Sequence, residues 1–189
     1  MIVYLTGGIG VGKSTALDIL SQFGARVLRA DDIVHDLLRE PEVQQAVAHA
    51  IGVADGGDRR VIAETVFGNE RLLRKLEEVL HPLVAERFRD YCTRLPKDET
   101  LVYEVPLPPS GEPGEAVLLL TAPASVRLER LTARGMSPDD AQARMDAQPT
   151  IDAYRAVATH EIDNATTVDS LRAALTAFWK EVTRDPRDF

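Results

Sequence analysis

The chain carries a single cysteine, Cys92, in 189 residues. One thiol excludes an internal disulfide and any cysteine-built zinc site, and Cys92 itself reads as a small apolar packing residue. Its four histidines are scattered without metal-ligand spacing. No apolar run approaches the roughly 20 residues that a membrane-crossing helix needs. A strand pattern starts at residue 2, so no signal peptide is expected and a cytoplasmic location is. Positive charge is also scarce: 22 Lys and Arg stand against 30 Asp and Glu, a formal charge of −8. That balance argues against non-specific binding to nucleic acid or to an anionic membrane. Internal repeats and low-complexity segments are absent, and 44% of the residues are hydrophobic, enough for an ordinary core. One domain over 1–189 is expected, as a monomer or a weak oligomer. Asn164-Ala165-Thr166 fits the glycosylation pattern, but without a secretory signal the match is read as accidental.

What is present begins at Gly7. Gly7-Gly-Ile-Gly-Val-Gly-Lys13-Ser14 matches the phosphate-loop pattern G-x-x-x-x-G-K-S/T in full. Ile2 to Leu5 ahead of it read as a buried strand, and Ala16, Leu17, Ile19, Leu20 and Phe23 behind it recur at helical spacing. The chemistry needs that order. Glycines let successive N–H groups converge on one hollow, and the helix that follows adds its positive dipole end. Gly10, Val11, Gly12, Lys13, Ser14 and Thr15 are therefore candidates for gripping the phosphates of a nucleotide. Lys13 supplies a mobile charge to the β- and γ-phosphates, and the Ser14 hydroxyl a ligand to Mg²⁺.

Strand and helix signals alternate along the rest of the chain. They predict an α/β fold, a parallel sheet flanked by helices of the P-loop NTPase type. Arg26 to Leu28 read as the second strand, followed by a helix opening at Ile33. Pro41 marks a break, and residues 42–51 are helical before the turn Asp55-Gly56-Gly57-Asp58. Residues 59–95 hold no strand pattern and read as a helical insertion that holds the acceptor, kinked or broken at Pro82. Strands are expected over Thr100 to Val105, Ala116 to Thr121 (buried on both faces) and His160 to Asp163. A loop rich in proline and glycine fills 106–114, and Val168, Leu171, Leu175, Phe178 and Val182 stripe a closing helix. Between them, residues 123–148 form two helices joined at Gly135 to Pro138. Arg127, Arg130 and Arg134 share one face of the first, and the second carries Arg144 with Gln148 one turn on. This pair reads as a lid that brings guanidinium groups to phosphate.

Asp31, just after the second strand, is placed to take the proton of an attacking hydroxyl; Asp31 or Asp32 also suits the cap of the following helix. Glu104 ends an apolar strand, as an acid that helps hold Mg²⁺ through water does. His81, in the helical insertion, is a candidate substrate contact and equally a packed or capping residue.

With these residues laid out, the chain resembles the dephospho-CoA kinase family. The resemblance runs over most of the length, through Leu5 to Thr15, Ala30-Asp31, Asp58-Arg59-Arg60, Val66-Phe67, His81-Pro82, Val105-Pro106-Leu107, Arg134, Arg144 with Gln148, and Asp163-Asn164. It implies an ATP-dependent kinase that phosphorylates the ribose 3′-hydroxyl of dephospho-CoA. Asp31 would be the catalytic base, Gly10 to Thr15 the ATP loop, Arg144 a lid contact to phosphate, and the segment around Arg59 and His81 the acceptor side. The chain departs from the family pattern at Arg29, where an acid is usual, at Pro108-Pro109-Ser110, and at Thr159. Those departures leave open a kinase for another small alcohol or nucleotide, or a nucleotide-binding regulatory homologue without turnover. The guanine-recognition pattern Asn-Lys-x-Asp is absent, which argues against a GTPase.

Overall fold

Among the described residues, five short strands form a sheet in the order β2-β3-β1-β4-β5, apolar at its centre and more polar at its two edges. They are β1 (Ile2–Thr6), β2 (Arg26–Arg29), β3 (Leu101–Glu104), β4 (Ala116–Thr121) and β5 (His160–Asp163). The computed structural model describes residues 1–109 and 116–183. β1 pairs in parallel with β3, Leu5 opposite Glu104, and with β4, Leu5 opposite Leu118. β4 pairs in parallel with β5, Thr121 opposite Asp163. The carboxyl ends of β1, β3, β4 and β5 therefore lie side by side, the edge at which open α/β sheets bind ligands. β4 is interior and buried from Ala116 to Leu120, as an apolar run covered on both faces requires.

The chain divides into two compact units, Met1–Leu28 with the chain from Pro96 onward, and Arg29–Leu95. The first holds the sheet. On it pack α1 (Lys13–Gln22), through Ala16, Leu17, Ile19 and Leu20, and α9 (Val168–Val182), through Leu171, Leu175 and Phe178. α6 (Ala124–Ala133), α7 (Pro138–Asp146) and the short α8 (Ile151–Arg155) connect β4 to β5. Ser137 caps α7 by accepting from Asp140 N, with Pro138 in the first turn, and Thr167 caps α9 by accepting from Ser170 N. The helix α8 was not legible in the sequence because five residues are too few to show a period.

The second unit is helical: α2 (Ala30–Leu37), α3 (Pro41–Ile51), α4 (Arg59–Val66) and α5 (Glu70–Arg94). Residues 59–95 are its later part. α4 starts where the Asp58 side chain accepts from Arg60 N and Val61 N, and Asn69 opens α5 by accepting from Leu72 N. Two expectations change here. α2 opens at Ala30 rather than Ile33, with Arg29 as its cap residue, so Asp31 and Asp32 lie in its first turn instead of capping it. There they complement the positive helix end. α5 runs unbroken through Pro82. The missing N–H leaves the carbonyl of Glu78 without its helical partner, on an exposed turn open to solvent. Leu76 and Leu80 stay buried on the opposite face, so packing continues across the proline and the break expected there does not occur. Cys92, half-buried in α5, has its thiol pushed up by burial. Among the described residues, no helix is long and apolar enough to cross a membrane.

Candidate active site

The phosphate loop leaves β1 at the carboxyl edge of the sheet. Gly7, Gly10 and Gly12 all adopt positive φ, 140°, 82° and 99°, conformations that side chains with a Cβ rarely reach. Gly12 is the cap residue of α1 and has no side chain to offer. The first-turn amides of α1 are thereby left without a side-chain acceptor, and they face the same end as the helix dipole. A hollow built this way suits a phosphate.

Lys13 reaches back over the loop and donates to Gly7 O at 2.8 Å and Gly8 O at 3.4 Å. Its Nζ is 4.0 Å from the Glu104 carboxylate. The structure so brings Lys13, at the start of α1, beside Glu104, at the end of β3. Ser14 is exposed in the first turn of α1, with Thr15 beside it half-buried. A hydroxyl and a carboxylate are hard oxygen donors, and two of them suit a Mg²⁺ ion that keeps several waters and takes its other ligands from phosphate. No group of three or more His, Cys, Asp or Glu able to hold a metal occurs among the described residues.

The outer face of the loop is gripped by residues from α6, from the end of α7 and from beyond β5. Arg127 Nε donates to Ile9 O at 2.7 Å, and Arg127 Nη2 to Gln148 Oε1 at 2.9 Å. Ile9 N–H donates to the same Gln148 oxygen at 2.7 Å. Arg130 donates to Val11 O at 3.3 Å and to Asn164 O at 2.9 Å. Asn164 is buried and its Nδ2 donates to Val11 O at 2.8 Å. That burial removes the amide from the reach of a glycan, so the glycosylation pattern there is a coincidence of sequence. The arginine face of α6 thus meets the backbone of the loop. Burial pulls the Arg127 guanidinium below its ordinary range and pushes the nearby Tyr154 phenol up.

Beside Gly12 and Thr15 opens a pocket of about 290 Å³, walled by Ala133 and Leu171 and edged by Arg130, Arg134 and Asn164. At the end of β3, Thr6 donates to Leu107 O at 3.0 Å and Tyr154 OH to Pro106 O at 3.1 Å. These fix the start of the loop that departs from the family pattern. Pro108 and Pro109 follow, and Ser110 to Gly114 lie outside the described residues. Thr159, another departure, accepts from Val117 N at 2.9 Å and steadies the start of β4.

Arg144, in the last turn of α7, is exposed and makes no hydrogen bond or ion pair among the described residues. In the helical unit, Asp31 is likewise exposed and without such a partner, whereas Asp32 stands 4.0 Å from the Arg29 guanidinium. Arg59 opens α4 and His81 lies on α5; both are exposed. His81 borders a shallow surface hollow of about 430 Å³ with Arg74, Glu77, Glu78 and Pro82. Gln148, Asn164 and Tyr154 are contacts to the site that residue type alone did not assign; for the first two, their place next to Arg144 and Asp163 was the signal.

The dephospho-CoA kinase family model matches residues 1–170. The dephospho-CoA kinase of Thermobifida fusca is 34% identical over 192 residues, 96% of each chain. A crystal structure from Thermus thermophilus superposes with a TM-score of 0.80 at 32% identity, over 97% of this chain and 98% of that one. The dephospho-CoA kinase of Campylobacter jejuni shares the fold, with a TM-score of 0.71 at 24% identity over 96% of each chain. With its loop, sheet order and matched length, the chain belongs to the dephospho-CoA kinase family.

Proposed function

We propose that this protein transfers the γ-phosphoryl group of MgATP to the ribose 3′-hydroxyl of dephospho-CoA, giving coenzyme A and ADP. The observation that carries the reading is the loop itself. Glycines at positive φ leave the first-turn amides of α1 uncapped, and the Lys13 ammonium rests on Gly7 O, in a chain of this family. The triphosphate settles on those amides, and Lys13 exchanges its carbonyl partners for phosphate oxygens. Ser14 and Glu104 would hold Mg²⁺, which neutralises charge on the bridging phosphates when bound. The base fits the pocket beside Gly12, between Ala133 and Leu171, with Arg130 and Arg134 at its rim.

Asp31 takes the hydroxyl proton as the new O–P bond forms and the bond to the β,γ-bridging oxygen breaks, releasing ADP. Its lack of a charged partner supports this role over Asp32, which has Arg29 beside it. Arg144 supplies a guanidinium to the transferring group, and Arg59 and His81 contact the acceptor. Positioning and charge neutralisation then supply most of the acceleration.

Purified protein with ATP, magnesium and dephospho-CoA is expected to give a product one phosphoryl group heavier by mass spectrometry, on the 3′-hydroxyl. ATP consumption with a different alcohol and none with dephospho-CoA would replace the acceptor. Binding of ATP without turnover on any acceptor would replace the reaction.

A further inference from the structure

We propose that Arg127 and Gln148 are positioning residues, a clamp that fixes the Ile9 backbone and ties the shape of the phosphate loop to the end of α7. The proposal rests on the phosphotransfer reading of that loop. Three hydrogen bonds close a ring: Ile9 N–H to Gln148 Oε1 at 2.7 Å, Arg127 Nη2 to the same oxygen at 2.9 Å, and Arg127 Nε to Ile9 O at 2.7 Å. Both groups facing Gln148 are donors, so the atom between them is the amide oxygen. The ring is partly buried, and its two arginine bonds are charge-assisted, the stronger kind.

The glycine at position 8 is independent support. Gly7, Gly10 and Gly12 are accounted for by positive φ, but Gly8 does not have it. A Cβ on Gly8 would instead stand 2.7 Å from Arg127 Nη2 and 3.0 Å from Gln148 Oε1. A side chain there is compatible with the backbone and incompatible with the clamp. Gly10 contributes too, since its Cβ would stand 3.0 Å from Arg127 O, where α6 passes.

The consequence is mechanical. Ile9 spends its N–H outward on Gln148, so the converging amides are those that follow it. Gln148 lies just past Ala147, the residue that ends α7. Withdrawal of the end of α7 leaves the Ile9 N–H unpaired and releases one side of Arg127. A loop held in advance binds phosphate without reorganising at the moment of reaction.

A double-mutant cycle tests this with Arg127→Lys, Gln148→Leu and the pair together, alongside Gly8→Ala. Lysine keeps the charge and loses the two-handed grip. Calorimetry with magnesium and a non-hydrolysable ATP analogue is the main readout, with KM for each substrate and thermal unfolding beside it. Each single variant is expected to weaken analogue binding by about 10–100-fold, the double by no more than about twofold beyond the weaker single. KM for the acceptor should stay within about twofold, and Gly8→Ala should match Gln148→Leu. Singles indistinguishable from the parent, losses that multiply in the double, or an equal loss of acceptor affinity would each overturn the proposal. The analogue readout needs no acceptor, so a parent protein that binds the analogue but makes no coenzyme A would count against the proposed reaction alone.

Discussion

Lys13 and Asp31 are both charged side chains proposed to act in phosphoryl transfer, and they should fail in different ways. Lys13 Nζ already spends its protons on Gly7 O and Gly8 O, so in Lys13→Ala the loop loses an internal tie as well as its mobile charge. That variant is expected to bind ATP more weakly and to lose about 10²–10³-fold in kcat, the scale of a removed charge-stabilising donor. Asp31 makes no hydrogen bond or ion pair among the described residues. Asp31→Asn should therefore keep its melting temperature and its ATP affinity while turnover falls about 10²–10⁴-fold, the range of a lost general base. Calorimetry and steady-state kinetics on both variants separate the two patterns, and full activity in Asp31→Asn would remove it from the reaction. Lys13 and Ser14 were legible because their motif is contiguous. Arg127, Gln148 and Asn164 reach the loop across 118, 139 and 153 positions of sequence. No local pattern records such a contact. The arginine spacing on α6 showed that these side chains share a face, but not that the face meets the loop backbone.

At the scale of elements, periodicity read α1, α5 and α9 correctly because each buries one stripe of apolar residues. It placed the start of α2 late, because the first turn Ala30 to Asp32 carries no apolar period, and of the kink or break expected at Pro82 the break does not occur, since packing through Leu76 and Leu80 continues across it. The junction of loop and helix offers a sharper test. Gly12 sits at φ 99°, and a Cβ there would overlap Asn164 Nδ2, the atom that donates to Val11 O. Gly12→Ala would incur backbone strain of about 1–3 kcal/mol and displace a buried amide from its acceptor. A lower melting temperature and ATP binding weaker by at least about tenfold are expected together, since one distortion causes both. Thermal unfolding and calorimetry on the same preparation check the pairing. Loss of binding with unchanged stability would mean that the loop absorbs the methyl group by moving away from Asn164.

Over the whole molecule the charge is −8, yet Arg127, Arg130 and Arg134 lie together on α6, so the positive charge an acidic nucleotide-binding protein needs is concentrated locally. The unit that holds the sheet also fixes its ligand-binding edge from both sides of β1. Thr6 holds Leu107 O, and Tyr154, 2% exposed, holds Pro106 O. This second tie gives the protein an alkaline limit whose sign can be worked out. Burial raises the Tyr154 phenol above its ordinary range, about 10 in an unfolded chain. Below that value the phenol is protonated in both states, and its contribution to stability is present in full. As pH rises past the unfolded value, the unfolded chain gains by ionising while the folded protein keeps the proton, so stability falls until the folded pKa is passed. Tyr154→Phe should therefore be less stable at neutral pH, by about 0.5–1.5 kcal/mol for one hydrogen bond. The lower part of that range is favoured because Pro106 is exposed and its carbonyl can bond water. Above about pH 10 the difference should shrink, because phenylalanine has no proton to lose. Urea midpoints for both proteins across about pH 7 to 11 would show the narrowing. Parallel curves would place the Tyr154 hydroxyl outside the forces that hold this edge of the sheet.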